Sequence, residues 1–203
     1  SNVNGGGSYE SGSYPLICGQ IWDGVYQAQK DPAMIQPSID FLNDPSKRTT
    51  PVSAPGEWYL ENDGRRFVDG LFTAPPALAM VYQMTGDEKY AEWMDGCFWD
   101  VHAEIFDPDA GLFNRDARSK PHRTRNGKKV LWSRGNGWAF GGVTRVLKYL
   151  PADHPSYARY KALYIQMAES LATRQQADGF WRPNLDDPKQ YDFRESSGTG
   201  FFT

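Results

Sequence analysis

Several things are scarce in this chain, and each scarcity excludes a class of protein. Two cysteines among 203 residues, Cys18 and Cys97, stand far apart in apolar surroundings and read as buried thiols. They set neither a disulfide framework nor a compartment. Basic charge is not in excess: the formal net charge is −3, which argues against nucleic acid as the main partner, because nothing is left over to neutralise phosphates. No apolar run is long enough to cross a bilayer, and the N-terminus lacks the charged-then-apolar order of a signal peptide. The chain as given is therefore expected to be soluble and not to engage a membrane. The three histidines, His102, His122 and His154, have no ligand spacing, so no metal and no cofactor is expected. "SSGTG" (196–200) resembles a phosphate-cradling loop only loosely and lacks the lysine that such a loop needs.

Aromatic residues, by contrast, are abundant at 14%, with seven tryptophans and eleven tyrosines. Many fall beside Gly, Asp, Arg and Pro, in loops instead of apolar helix stripes. Such rings either present stacking faces to flat ligands or fill a loop-rich core, and composition alone does not separate the two.

Residues 1–15 are Gly/Ser-rich and read as a flexible lead; residues 16–203 read as one domain. Within that domain a helix, a short polar turn and a second helix recur three times. The pairs are "GQIWDGVYQAQ" with "AMIQPSIDFLND", "GLFTAPPALAMVYQM" with "YAEWMDGCFWDVHAEIF", and "GNGWAFGGVTRVLKYL" with "YARYKALYIQMAESLATRQQ". Their turns, such as "TGDEK" and "PADHPS", carry the Asp, Gly and Pro that turn chemistry demands. These are αα-hairpins. The first helix of each is apolar and rich in small residues, the second more charged, as in a toroid whose first helices point inward. Strand signals are sparse, so the fold class is all-α. Pro75 and Pro76 are placed near the start of their helix, where missing N–H groups cost least. Long aromatic loops, Asp44–Val68, Asp107–Ser133 and Ala177–Ser196, separate the hairpins and should gather on one rim.

Four clusters fall at or before the starts of the inner helices: "RRFVDGLF" with Asp69, "GLFNRD" with Arg115 and Asp116, "LWSRGNGW" with Trp132, Arg134 and Trp138, and "RESSGTGFF" with Glu195, Ser196, Ser197 and Thr199. Converging helix N-termini make a rim electropositive and rich in N–H donors. A guanidinium added there can grip a carboxylate in a fork, and indoles beside it can stack on a sugar ring. The stretch "VLWSRGNGWAF" (130–140) thus suits an acidic sugar. Each residue also has a plainer reading: Asp69 as a helix cap, Arg134 as the partner of an acidic neighbour, and "RTRNGKK" (123–129) as a solvated basic loop.

Taken in order, "GLFTAPPALAMVYQMTGDEKY", "LFNRD", "NGKKVLWSRGNGWAFGGVTRVLKYLP", "QQADGFWRPNLDDP" and "ESSGTGFF" resemble the blocks of glycoside hydrolase family 105, the unsaturated rhamnogalacturonyl hydrolases, cousins of the unsaturated glucuronyl hydrolases of family 88. The resemblance runs from about residue 16 to the C-terminus. It implies an (α/α)6 barrel, incomplete over this length, acting on pectin-derived oligosaccharides that carry a 4,5-unsaturated uronic acid, in a bacterial periplasm or cytoplasm. It implies Asp69 as general acid/base, with Trp132, Arg134, Trp138, Arg115, Glu195 and Ser197 binding substrate. The implied reaction is hydration: Asp69 protonates C4, water attacks C5, and the hemiketal opens to expel the aglycone.

Two departures from the family pattern stand out. Where a second Asp is expected ahead of the first "GQ", this chain has Tyr14 and Pro15, with Asp23 the nearest carboxyl downstream; this predicts weaker substrate positioning. A twelve-helix barrel also needs on the order of 300 residues at ~12 per helix plus loops, so exposed inner-helix faces predict self-association and a mass above the monomer by light scattering. The alternative to a hydrolase is a catalytically degenerate relative that binds acidic sugars without turnover.

Overall fold

The computed structural model describes residues 14–44 and 66–203, apart from the side chains of residues 14–18, 22 and 23. The Gly/Ser-rich lead before Tyr14 and most of the first long loop lie outside the described residues. Among the described residues seven α-helices follow one another: α1 (Tyr14–Gln29), α2 (Gln36–Asn43), α3 (Gly70–Thr85), α4 (Glu88–Ile105), α5 (Ser133–Tyr149), α6 (Tyr157–Ala172) and α7 (Ser196–Phe202). Helices α1, α3, α5 and α7 pack side by side in chain order, while α4 lies on α3 and α6 on α5. This is the inner and outer layering that the alternating composition predicts.

The turns behave as their residues dictate. Gly86 takes the left-handed conformation (φ 69°) that closes α3, its N–H bonding to Tyr82 O. Asp87 then caps α4, its side chain accepting from Lys89 N at 3.2 Å. Between α5 and α6, His154 N bonds to Pro151 O and Ser156 N to His154 Nδ1. No described helix is long and apolar enough to cross a membrane. Cys97 is fully buried in the core on α4; the side chain of Cys18 lies outside the described residues.

The helical fold class holds, with one small antiparallel hairpin, β1 (Phe106–Asp107) with β2 (Leu112–Phe113), after α4. Two residues per strand are too few to leave a period-two signal. The structure corrects the placing of the proline pair. Pro75 and Pro76 are the sixth and seventh residues of α3, inside the helix, where their missing N–H groups would have bonded to Leu71 and Phe72. Neighbouring helices answer this loss. Gln20 of α1, buried, donates Nε2 to Phe72 O at 3.0 Å and to Thr73 O at 2.8 Å. On the other side α5 presses so close that a Cβ built on Gly142 would lie 2.2 Å from Leu71 O. The small-residue content of the inner helices serves this proximity.

The core runs between the layers, with Leu71, Leu78, Met80, Met94, Phe98 and Tyr160 all fully buried. It fixes the starts of α3 and α5, and those starts carry the site.

Candidate active site

Asp69 takes helical dihedrals (φ −61°, ψ −31°) at the head of α3, and its side chain makes no capping hydrogen bond to the helix. A cap residue has extended dihedrals and accepts from N2 or N3. The plainer reading of Asp69 therefore fails on geometry. Val68 N bonds to Arg115 O at 3.0 Å, tying the entry of α3 to the loop after β2.

"WSRGNGW" begins a helix, with Trp132 as the residue before it and its glycines third and fifth in α5. Asn136 explains the spacing. Fully buried, it accepts from Phe113 N at 2.8 Å and donates to Phe113 O and Trp132 O, both at 3.0 Å. One amide side chain thus bolts the β-hairpin to the start of α5. Gly135 is required because a Cβ there would meet the Trp132 ring at 2.5 Å.

A third segment closes the wall. Ser133 N donates to Pro183 O and Leu185 N to Leu131 O, each at 2.9 Å. Buried Asn184 accepts from Leu131 N at 3.1 Å and donates to Lys129 O and Gln190 Oε1. Farther out, Asp187 takes hydrogen bonds from Thr124 Oγ1 (2.6 Å) and Asn126 Nδ2 (2.9 Å). These, the Thr124 bond foremost, hold its carboxyl below the usual range. The basic loop 123–129 is thereby folded in at both ends, with Lys129 bound to Asp107 at 2.6 Å.

These segments enclose a cavity of about 540 Å³. Phe67 and Asp69 line it from the entry of α3; Arg115, Ser119 and His122 from the loop after β2; Val130, Trp132 and Arg134 from the start of α5; and Pro183, Asn184, Gln190 and Tyr191 from the last long loop. Arg134 is exposed, with its guanidinium 4.5 Å from the Trp132 ring centroid. It makes no ion pair with a carboxylate among the described residues, so the acidic-neighbour reading fails too. Arg115 is half exposed and lies 5.2 Å from the Phe67 ring; its Nε (3.2 Å) and Nη2 (3.0 Å) donate to Asp116. Burial pushes the Asp116 carboxyl up, but hydrogen bonds from Ser119 and Arg115 outweigh it and leave the group below its ordinary value. Asp116 is thus an anion at neutral pH that aims Arg115. One carboxyl, two guanidinium groups and an indole face share a single space.

Three of the seven residues expected in the site lie off this cavity. Trp138 joins Phe72 (4.9 Å) and Phe201 (4.8 Å), so α3, α5 and α7 each give one ring to a half-buried cluster. Glu195 caps α7, accepting from the Ser197 N–H at 3.2 Å, the Ser197 hydroxyl and the Gly198 N–H. Gly198 is packed against Ser133 so closely that no Cβ fits. Gly198 therefore joins α7 to the head of α5, while Glu195 and Ser197 are spent on the cap of α7. Tyr14, Pro15 and Asp23, the positions of the second-Asp departure, have side chains outside the described residues.

Sequence reasoning missed His122, Ser119, Asn184, Gln190 and Tyr191. The signal for Tyr191 was present, as an aromatic among polar residues in a long loop. The other four have no local signature, because backbone pairing across some fifty residues brings them in. Among the described residues, no group of three or more His, Cys, Asp or Glu is placed to hold a metal ion.

Several proteins similar to this chain carry glycoside hydrolase names. The chain is 40% identical over 154 residues to an unsaturated 3S-rhamnoglycuronyl hydrolase from Alteromonas sp., covering 74% of this chain and 37% of that one. It is 34% identical over 184 residues to a protein of the same name from Formosa agariphila, covering 83% and 47%. The chain thus spans less than half the length of these curated relatives. Among solved structures, a glycosyl hydrolase family 88 protein from Bacteroides vulgatus superposes with a TM-score of 0.79 at 30% identity, covering 93% of this chain and 51% of that one. A Clostridium acetobutylicum family 105 hydrolase shares the fold at 18% identity and a TM-score of 0.78, over 98% and 57%. The model of Glycosyl Hydrolase Family 88 matches residues 14–203, and the chain belongs to that family.

Proposed function

We propose that this chain is a hydrolase for oligosaccharides bearing a 4,5-unsaturated uronic acid at the non-reducing end, such as those left from rhamnogalacturonan by lyases. The observation that carries the proposal is the meeting of Asp69, Arg134 on Trp132, and Arg115 in one cavity. The uronate carboxylate is planar and fits a guanidinium fork. The sugar ring, flattened by its double bond, lies against the indole. Curated relatives with unsaturated uronyl hydrolase names support the substrate class.

The chemistry follows from one carboxyl next to fixed positive charge. Asp69 in its acid form gives its proton to C4, leaving positive charge shared between C5 and the ring oxygen. The Asp69 carboxylate then takes a proton from water as that water's oxygen bonds to C5, restoring the acid. The hemiketal opens, and the aglycone leaves from C1 with its oxygen protonated. Arg134 keeps the substrate carboxylate charged and oriented throughout.

The C4=C5 bond conjugated to its carboxylate absorbs in the ultraviolet, so hydration is followed as lost absorbance. With an unsaturated rhamnogalacturonan disaccharide, the parent protein removes the signal and Asp69→Asn retains it. Sugar binding without loss of absorbance in the parent would overturn the hydrolase reading and leave a binding relative.

A further inference from the structure

Two of the four large apolar side chains exposed among the described residues stand two positions apart: Tyr191, 51% exposed, and Phe193, 60% exposed. Their rings are 6.1 Å apart and tilted by 53°. Neither ring is held by its own burial. The residues around them are held instead. Gln190 accepts from Asn184 at 3.0 Å, Asp192 from Arg182 Nε at 3.1 Å, and Arg194 donates Nε to Asp178 at 3.1 Å. Arg182 also reaches Asp178, at 3.2 Å. Bonds from residues 190, 192 and 194 thus pin the strap that carries the rings at 191 and 193. Arg194 lies over the Phe180 ring at 4.8 Å, and Glu195 N closes the segment on Trp181 O.

Exposed rings cost solubility unless they have an occupant, and here five polar contacts keep them in place. Tyr191 lines the cavity, whereas Phe193 lies beyond it. Continuity with the cavity defines the occupant. We propose that Tyr191 and Phe193 form a stacking platform for the sugars that follow the unsaturated residue, so that the protein prefers oligosaccharides longer than a disaccharide. The platform rests on the saccharide reading of the cavity. Its fixed strap lowers the ordering cost of binding, and the tilted faces suit successive sugar rings whose C–H faces are apolar.

Phe193→Ala is the test, since this exposed residue is neither in the cavity nor in the core. Unsaturated di- and tetrasaccharides from lyase-treated rhamnogalacturonan are compared by absorbance kinetics, and by calorimetry on Asp69→Asn and Asp69→Asn/Phe193→Ala proteins. Removing the ring is expected to raise KM and Kd for the tetrasaccharide about fivefold, the worth of roughly 40 Å² of apolar surface withdrawn from water. The disaccharide values stay unchanged, and Phe193→Tyr restores the tetrasaccharide values. Equal effects on both lengths, or none on the longer one, would overturn the platform. Calorimetry needs no turnover, so a parent protein that hydrates neither sugar defeats the hydrolase proposal while the length dependence still decides this one.

Discussion

Replacing Gly142 with alanine tests how the fold positions the site. The added Cβ would lie 2.2 Å from Leu71 O and 2.8 Å from Leu71 C, both backbone atoms that cannot rotate away. Ordinary contact begins near 3.4 Å, so α3 and α5 must separate by about 1.2 Å. Overpacking of this kind costs roughly 1–3 kcal/mol. At about 2 kcal/mol, and 2–4 °C per kcal/mol for a chain of this size, the melting temperature should fall by about 4–8 °C. The same displacement parts Asp69, at the head of α3, from Trp132 and Arg134, at the head of α5. Hydration of the unsaturated sugar should therefore fall about 100-fold, as expected for an approximately 1 Å misplacement. Gly24→Ala is the control: Gly24 lies within α1 with nothing within 4 Å of a new Cβ, so it should gain up to about 1 kcal/mol. The measurements are thermal melts and absorbance kinetics on all three proteins. A Gly142→Ala protein with parental melting temperature and kcat/KM would refute the argument that this approach of two backbones sets the site.

Two other predictions concern charge. Arg134→Lys keeps the cation but loses the planar fork and the stacking on Trp132; KM should rise about tenfold, near the worth of one charge-assisted hydrogen bond, with kcat far less affected. An unchanged KM would remove Arg134 from carboxylate binding. Asp178 is held at about 2, down from 3.8, by hydrogen bonds from Arg182 and then Arg194. A carboxyl depressed by folding stabilises the protein above its unfolded value and loses that contribution as pH falls through the folded one. Melting temperature should therefore fall more steeply between pH 3.8 and about 2 in the parent than in Asp178→Asn, and identical slopes would sink the assignment.

The layering of helices was legible in the sequence because it rests on local signals. Gly86 and Asp87 mark a turn, and small apolar residues mark a helix that must be approached closely. Asp69, Arg134 and Trp132 were legible as a motif, and Arg115 by its place beside them. What escaped was tertiary. Trp138 reads as a site residue in "GNGW", but its ring direction is set by Phe72 and Phe201 on other helices. Glu195 and Ser197 are polar residues at a helix start, where capping and ligand binding draw on the same N–H donors. Asn136 and Asn184 carry the backbone of the site, yet one asparagine looks like another until its partners are known. The proline pair was misplaced because nothing local to α3 shows that Gln20, some fifty residues earlier, is waiting for its carbonyls.

That last arrangement bears on how the chain acquires its structure. A helix interrupted by two prolines cannot complete its own hydrogen bonding, so α3 in isolation is a poor nucleus. Its missing partner, Gln20 of α1, stands 52 residues away from Phe72 in the chain, a separation that makes closure slow. Assembly should therefore couple the two helices: α3 becomes fully ordered only as α1 docks, and the head of α3, with Asp69 on it, matures with that event. A lesion at Gln20, far along the chain from Asp69 and Arg134, would then show itself first as slow or incomplete refolding, with the proposed hydration activity lost only as a consequence.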